Sequence, residues 1–93
     1  MNSFVTINSG AIPVYCEINK DTWNIDAINI EKLITSKTKA IMPVSLFGLP
    51  VDMDPIIDLA KKYNLIVIDD SAETLCGTYK NEWAGLKADM SVY

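Results

Sequence analysis

Ninety-three residues, 49% of them apolar, are enough for one modest domain and too apolar for a disordered chain. The net charge is −4, from 8 basic and 12 acidic residues with no histidine, which offers nothing to grip nucleic acid or an anionic membrane, since both need clustered Lys and Arg. No apolar run is long enough to cross a bilayer, and MNSFVTINSG lacks the basic-then-apolar order of a secretory leader, so the expected compartment is the cytoplasm.

In chain order, Ser3–Ile7 leads into a turn at Gly10 with too few residues for a complete element. Pro13–Ile18 (PVYCEI) is the first expected strand. Asp26 caps a helix whose Ile30, Leu33 and Ile34 share one face. Ala40–Val44 (AIMPV) is an apolar run of strand length. Asp54 then Pro55 reads as an N-cap followed by proline at the first helical position, with Ile56, Leu59, Ala60 and Tyr63 as the buried stripe. Leu65–Ile68 is a uniformly apolar strand of the kind covered by helices on both faces. Met90–Tyr93 is a last strand. This alternation predicts an α/β fold with a parallel sheet. Both ends look cut: the chain stops inside an apolar run and starts without a full element.

Cys16 and Cys76 lie far apart and match no metal spacing, so both are expected as free thiols, with Cys76 a small buried hydrophobe. Trp23 and Trp83 read as packing or partner-facing residues. Met1, Met42, Met53 and Met90 form no stripe and read as core or turn residues. Lys61 and Lys62 suit the C-terminal end of the second helix.

The informative stretch is VIDDSAE. Ligands of open parallel sheets bind at the carboxyl ends of strands, and Asp69 and Asp70 stand at such an end. Receiver domains of response regulators also carry an acidic pair after a strand. Their pair closes the first strand, however, whereas most of this chain precedes the pair. A magnesium site needs oxygen ligands from more than one element. Glu73 could join Asp70, but no nucleotide-binding loop accompanies them. Besides these, two aspartates can simply open a loop, and a further reading is a cationic cofactor. A carboxylate beside a pyridine nitrogen keeps it protonated through a charge-assisted hydrogen bond. A small residue two positions on, Ala72, lets a ring lie flat. A polar residue three positions on, Glu73, can reach a ring hydroxyl.

Several separated features then agree with one family: Gly10-Ala11-Ile12-Pro13-Val14, Asp21-Thr22-Trp23-Asn24-Ile25, Lys37-Thr38-Lys39-Ala40-Ile41, Leu46-Phe47-Gly48-Leu49-Pro50, Asp52-Met53-Asp54-Pro55 and Val67-Ile68-Asp69-Asp70. In this order, over nearly the whole chain, they resemble the DegT/DnrJ/StrS family of pyridoxal-phosphate enzymes, mostly aminotransferases acting on nucleotide-linked keto sugars. The resemblance implies a three-layer, mainly parallel sheet with flanking helices, part of the large cofactor-binding domain of fold type I aminotransferases. It implies pyridoxal 5′-phosphate as cofactor in the parent protein, a nucleotide sugar and an amino donor such as glutamate as substrates, and a homodimer that completes the site.

Carried over residue by residue, the resemblance makes Asp70 the partner of the pyridine nitrogen and Ala72 the small residue beneath the ring. Glu73 falls where many members have Gln and some have Glu. Ser45 falls where the family often has His and is expected on the cofactor side. Asp69 reads as loop structure. The family's Schiff-base lysine, in a Ser-Phe-x-x-x-Lys segment, does not occur within these 93 residues. Lys80 and Lys87 do not match its place. The phosphate-binding loop and the small C-terminal domain are likewise outside them. The resemblance therefore implies an interior piece of an aminotransferase. A sugar dehydratase of the same family, with His in place of the lysine, and a non-catalytic α/β module are the alternatives. The isolated 93 residues are expected neither to bind the cofactor tightly nor to transaminate.

Overall fold

The computed structural model describes residues 2–93; Met1 lies outside the described residues. Elements follow as α1 (Asn2–Asn8), α2 (Ala27–Glu31), β1 (Ala40–Ile41), α3 (Met53–Tyr63), β2 (Ile66–Asp70), a 3-10 turn (Ala72–Thr74), β3 (Thr78–Tyr79), β4 (Glu82–Trp83) and β5 (Met90–Val92). β1, β2 and β5 form one sheet in that order, with both pairings parallel. β3 and β4 form a separate antiparallel hairpin. The fold is α/β with a parallel sheet, as the alternating pattern predicts.

The core sits between α3, β1, β2 and α2. Ile30, Ile41, Val51, Met53, Ile56, Leu59, Ala60 and Val67 make one buried cluster. Ile56, Leu59 and Ala60 recur at helical spacing, so α3 turns a single apolar stripe onto the sheet. Its C-terminus closes on Asn64 in the left-handed conformation (φ 53°), whose N–H reaches back to Ala60 and Lys61. Lys61 and Lys62 occupy the last turn as expected. The expected cap of α2 also holds: Asp26 Oδ1 accepts from the Asn29 N–H at 2.9 Å.

Five expectations are corrected. Ser3–Ile7 forms the short helix α1, closed by Gly10 at φ 82°. A segment with no strand partner can still satisfy its backbone groups internally. Pro13–Ile18 is no strand, because only Ile18 finds a partner, in a single antiparallel bridge to Ile25. α3 begins two residues earlier than Asp54-Pro55 implies: Asp52 is the N-cap residue and Pro55 lies inside the first turn. Proline is tolerated there because the first N–H groups have no intrahelical partner. Tyr63 is not part of the stripe. It is 39% exposed, and its hydroxyl donates to Glu31. β2 is not uniformly buried: Val67 and Asp69 face inward while Ile66 is 51% exposed. Among the described residues, helix therefore covers one face of the strand.

The smaller predictions divide similarly. Cys76 is exposed and holds a positive φ (65°), so it is no buried hydrophobe; both cysteines are free thiols. Trp23 and Trp83 are both exposed, Met53 is core, and Met90 is exposed. No helix among the described residues is long and apolar enough to cross a membrane.

Candidate active site

β2 carries the acidic pair out to the carboxyl edge of the sheet. Strand alternation turns consecutive side chains to opposite faces, so two neighbouring aspartates meet different surroundings. Asp70 is held by its backbone on both sides. Its N–H donates to the Pro43 carbonyl and its carbonyl accepts from the Ser45 N–H, each at 2.9 Å. Its Oδ1 accepts from the Ala72 N–H at 3.2 Å, the short side-chain turn that aspartate favours. Its Oδ2 takes no hydrogen bond from the described residues. A rigid, half-buried carboxylate with one oxygen free is thus presented at a strand end. Ala72, two residues on, is exposed and adds no side chain beyond a methyl.

Asp69 takes the other face. It is 1% exposed, which corrects its reading as loop structure: it lies within β2. Ser71 Oγ donates to its Oδ2 at 3.0 Å, while Oδ1 is buried with no partner among the described residues. It borders a cavity of about 10 Å³ shared with Ser45, Met53, Tyr79 and Lys87, near the smallest volume that holds one water. Burial pushes the Asp69 carboxyl above its ordinary value, the Ser71 bond opposes that, and the Asp70 charge adds to it.

The sign of the resulting pH effect follows directly. The native state binds this proton more tightly than the unfolded state, so stability is fullest below the unfolded carboxylate value of about 4. It falls as pH rises from there through the raised native value. Asp69→Asn removes this titration. Subtracting its urea-midpoint profile from that of the wild type should give a curve that declines across that window. A flat difference would show that Asp69 is solvated like a surface carboxylate.

Ser45 follows Val44, which bridges Asp70, and shares a small cavity with Asp69. It is 1% exposed and its Oγ accepts from the Val51 N–H at 3.1 Å, so a buried backbone donor has claimed the hydroxyl. The hydroxyl thereby holds the loop that follows β1. Glu73 is exposed, and its Oε2 accepts from the Phe47 N–H at 3.0 Å. The structure therefore brings Asp70, Ala72 and Glu73 into one turn, with the Ser45 N–H bonded to the Asp70 carbonyl.

Asn24 was not singled out by residue-level reasoning, yet it is buried and doubly bonded. Its Nδ2 donates to the Leu49 carbonyl at 2.9 Å and its Oδ1 accepts from the Leu46 N–H at 3.1 Å. The only signal was an amide inside the Asp21–Ile25 motif. Two salt bridges frame the far side: Lys80 and Lys87 pair with Asp54 at 2.5 and 3.0 Å. The Tyr79 hydroxyl bonds to Asp52 and accepts from the Asp54 N–H. The β3–β4 hairpin is thereby fastened to the start of α3. Asp89 Oδ2 accepts from the Val67 N–H at 2.8 Å and supplies a partner at the inner end of β2.

The model of the DegT/DnrJ/EryC1/StrS aminotransferase family matches residues 3–93. The chain belongs to that family. A GDP-perosamine synthase from Caulobacter vibrioides is 45% identical over 84 residues, covering 90% of this chain and 23% of the relative. Among solved structures, Helicobacter pylori PseC, an aminotransferase involved in the biosynthesis of pseudoaminic acid, superposes with a TM-score of 0.91 at 36% identity. That match covers 96% of this chain and 24% of PseC. NtdA from Bacillus subtilis, solved with bound cofactor PMP, gives a TM-score of 0.80 at 36% identity over 96% of this chain and 20% of NtdA. This member of the DegT/DnrJ/EryC1/StrS family spans about a quarter of the length of the curated relatives it matches. Asp70 closes β2, the middle strand of this chain's three-stranded sheet.

Proposed function

We propose that these 93 residues are part of the large cofactor-binding domain of a pyridoxal-phosphate-dependent aminotransferase, which moves an amino group from glutamate to a nucleotide-linked keto sugar. The single observation that carries this is Asp70: a carboxylate locked at the end of β2 by two backbone bonds and the Ala72 N–H, with Oδ2 left for a ligand. Family membership and the sugar-acting relatives support the reaction class.

The residues fit the cofactor. Asp70 would accept a hydrogen bond from the protonated ring nitrogen and keep that proton on the nitrogen, because its negative charge makes loss of the proton costly. Ala72 leaves room for a flat ring against the turn. Glu73 stands on the same turn within reach of a ring substituent. When bound, pyridoxal phosphate supplies an electron-withdrawing pyridinium that draws charge from the reacting carbon. The protein's part is to fix that polarity and to hold the ring. The lysine, the phosphate-binding loop and the small domain belong to other segments of the parent, which works as a homodimer. Whether the parent transfers an amino group or dehydrates the sugar turns on the residue at the lysine position.

The test is made on the full polypeptide that carries these residues. Adding pyridoxal phosphate should produce a protein-bound absorption band, and glutamate with a nucleotide-linked keto sugar should yield the amino sugar. A band with sugar dehydration instead supports the dehydratase reading. Absence of any band sinks the enzyme reading and leaves a non-catalytic module.

A further inference from the structure

The Leu46–Leu49 segment is a tight turn, closed by Leu49 N–H donating to the Leu46 carbonyl at 2.9 Å. Both of its central residues have positive φ, 54° at Phe47 and 78° at Gly48. Glycine accepts that conformation freely, but a bulky phenylalanine does not. Left-handed backbone at such a residue is strained and persists only where the surroundings over-determine it. Trp23 repeats the pattern at φ 63°. The two rings stand edge to face, 6.3 Å between centroids at 79°, and both are exposed. Two strained aromatics meeting at the surface call for something that holds them.

Asn24 and Glu73 hold this turn. Asn24, next to Trp23, grips both ends of the turn, Leu46 N–H and Leu49 carbonyl. That leaves the N–H of Phe47, the strained position itself, and Glu73 Oε2 takes it across 26 residues of sequence. A carboxylate accepting a backbone N–H makes a charge-assisted bond, stronger than a neutral one. Glu73 lies in the turn that begins at Asp70, so one side chain ties the aromatic loop to the carboxyl edge of β2.

We propose that Glu73 is a positioning residue whose bond to the Phe47 N–H fixes the Phe47–Trp23 pair as a wall of the ligand site. The siting of that wall rests on the function proposed above; the bond itself does not. The wall is apolar, with one ring face set nearly at right angles to the other, so it suits the planar base of the nucleotide-linked acceptor, which can stack on one ring and meet the edge of the other. Because Oε2 is committed to Phe47, Glu73 meets any ligand only through Oε1, and a carboxylate oxygen there accepts and cannot donate.

Glu73 is exposed, so truncating it removes no packed core. In the full polypeptide, Glu73→Ala should speed amide exchange in the Leu46–Leu49 segment by about tenfold, the effect of losing one charge-assisted bond, with exchange in β2 unchanged. Glu73→Gln, whose amide oxygen can accept the same N–H, should restore protection to within roughly threefold of wild type. Kinetically, Glu73→Ala should raise KM for the keto-sugar substrate roughly tenfold, the mark of lost ground-state binding, and Glu73→Gln should bring it back toward the wild-type value. Unchanged exchange in the alanine variant, or a glutamine variant as exposed as the alanine one, overturns the proposal. A fall in kcat with exchange intact overturns it too, and assigns Glu73 to the cofactor ring alone. Faster exchange with unchanged KM removes the wall from the ligand site. If the polypeptide takes up no pyridoxal phosphate, the function proposed above fails, while the exchange comparison still decides the role of Glu73.

Discussion

Asp70→Asn in the full polypeptide is expected to lower amino-transfer turnover by about 10²–10³-fold, the size of effect seen when one preorganised electrostatic partner is removed from a reacting system. The substitution is chosen to isolate charge from geometry. Asparagine keeps an oxygen that can accept the Ala72 N–H, and the backbone bonds of residue 70 to Pro43 and Ser45 do not involve the side chain. The turn therefore survives, and what is lost is the anion that keeps a ring nitrogen protonated. The check is kcat at saturating cofactor and substrate, together with the absorption of the bound cofactor. Turnover within a few-fold of wild type would mean that Oδ2 of Asp70 faces no cationic ring atom, and the cofactor reading would lose its central residue.

Asn24→Ala carries the largest expected effect on stability. The amide is 3% exposed and satisfies two backbone groups of one loop, the Leu46 N–H and the Leu49 carbonyl. Alanine leaves both of these part-buried hydrogen bonds unmade, at about 1–3 kcal/mol each, so roughly 2–6 kcal/mol together. The loss is greater than for an exposed polar residue because no water replaces the missing partners cheaply. The midpoint of urea unfolding should fall with little change in slope, and the Phe47–Trp23 pair should separate. By contrast, Lys62→Ala removes an exposed ion pair to Glu31, and such pairs contribute little. A midpoint unmoved in Asn24→Ala would show that the loop finds solvent or a new donor when the amide is gone.

The sequence by itself was informative wherever the determinant was local. The stripe Ile56, Leu59 and Ala60 marks α3 because helical neighbours lie three and four residues apart. Asp26 marks the start of α2 because a cap bonds within its own first turn. VIDD marks a strand and its exit because an apolar run gives way to carboxylates within a few residues, and with it Asp70 was legible as the residue at the mouth of the sheet.

The rest depended on partners distant in sequence. Whether Pro13–Ile18 is a strand depends on a neighbour to receive its backbone bonds, and only Ile18 has one. The partner of the Ser45 hydroxyl is the Val51 N–H, a choice made by how the loop folds back. Asp69 and Asp70 look alike on paper, and only the pleat of β2 buries one and presents the other. The grip of Glu73 on Phe47 and of Asn24 on the same turn spans more than 20 residues in each case. Local pattern determined which elements this chain builds and which carboxylate ends the strand. Tertiary structure decided what each polar group bonds to, because a hydrogen bond between distant segments leaves no periodic trace in either of them.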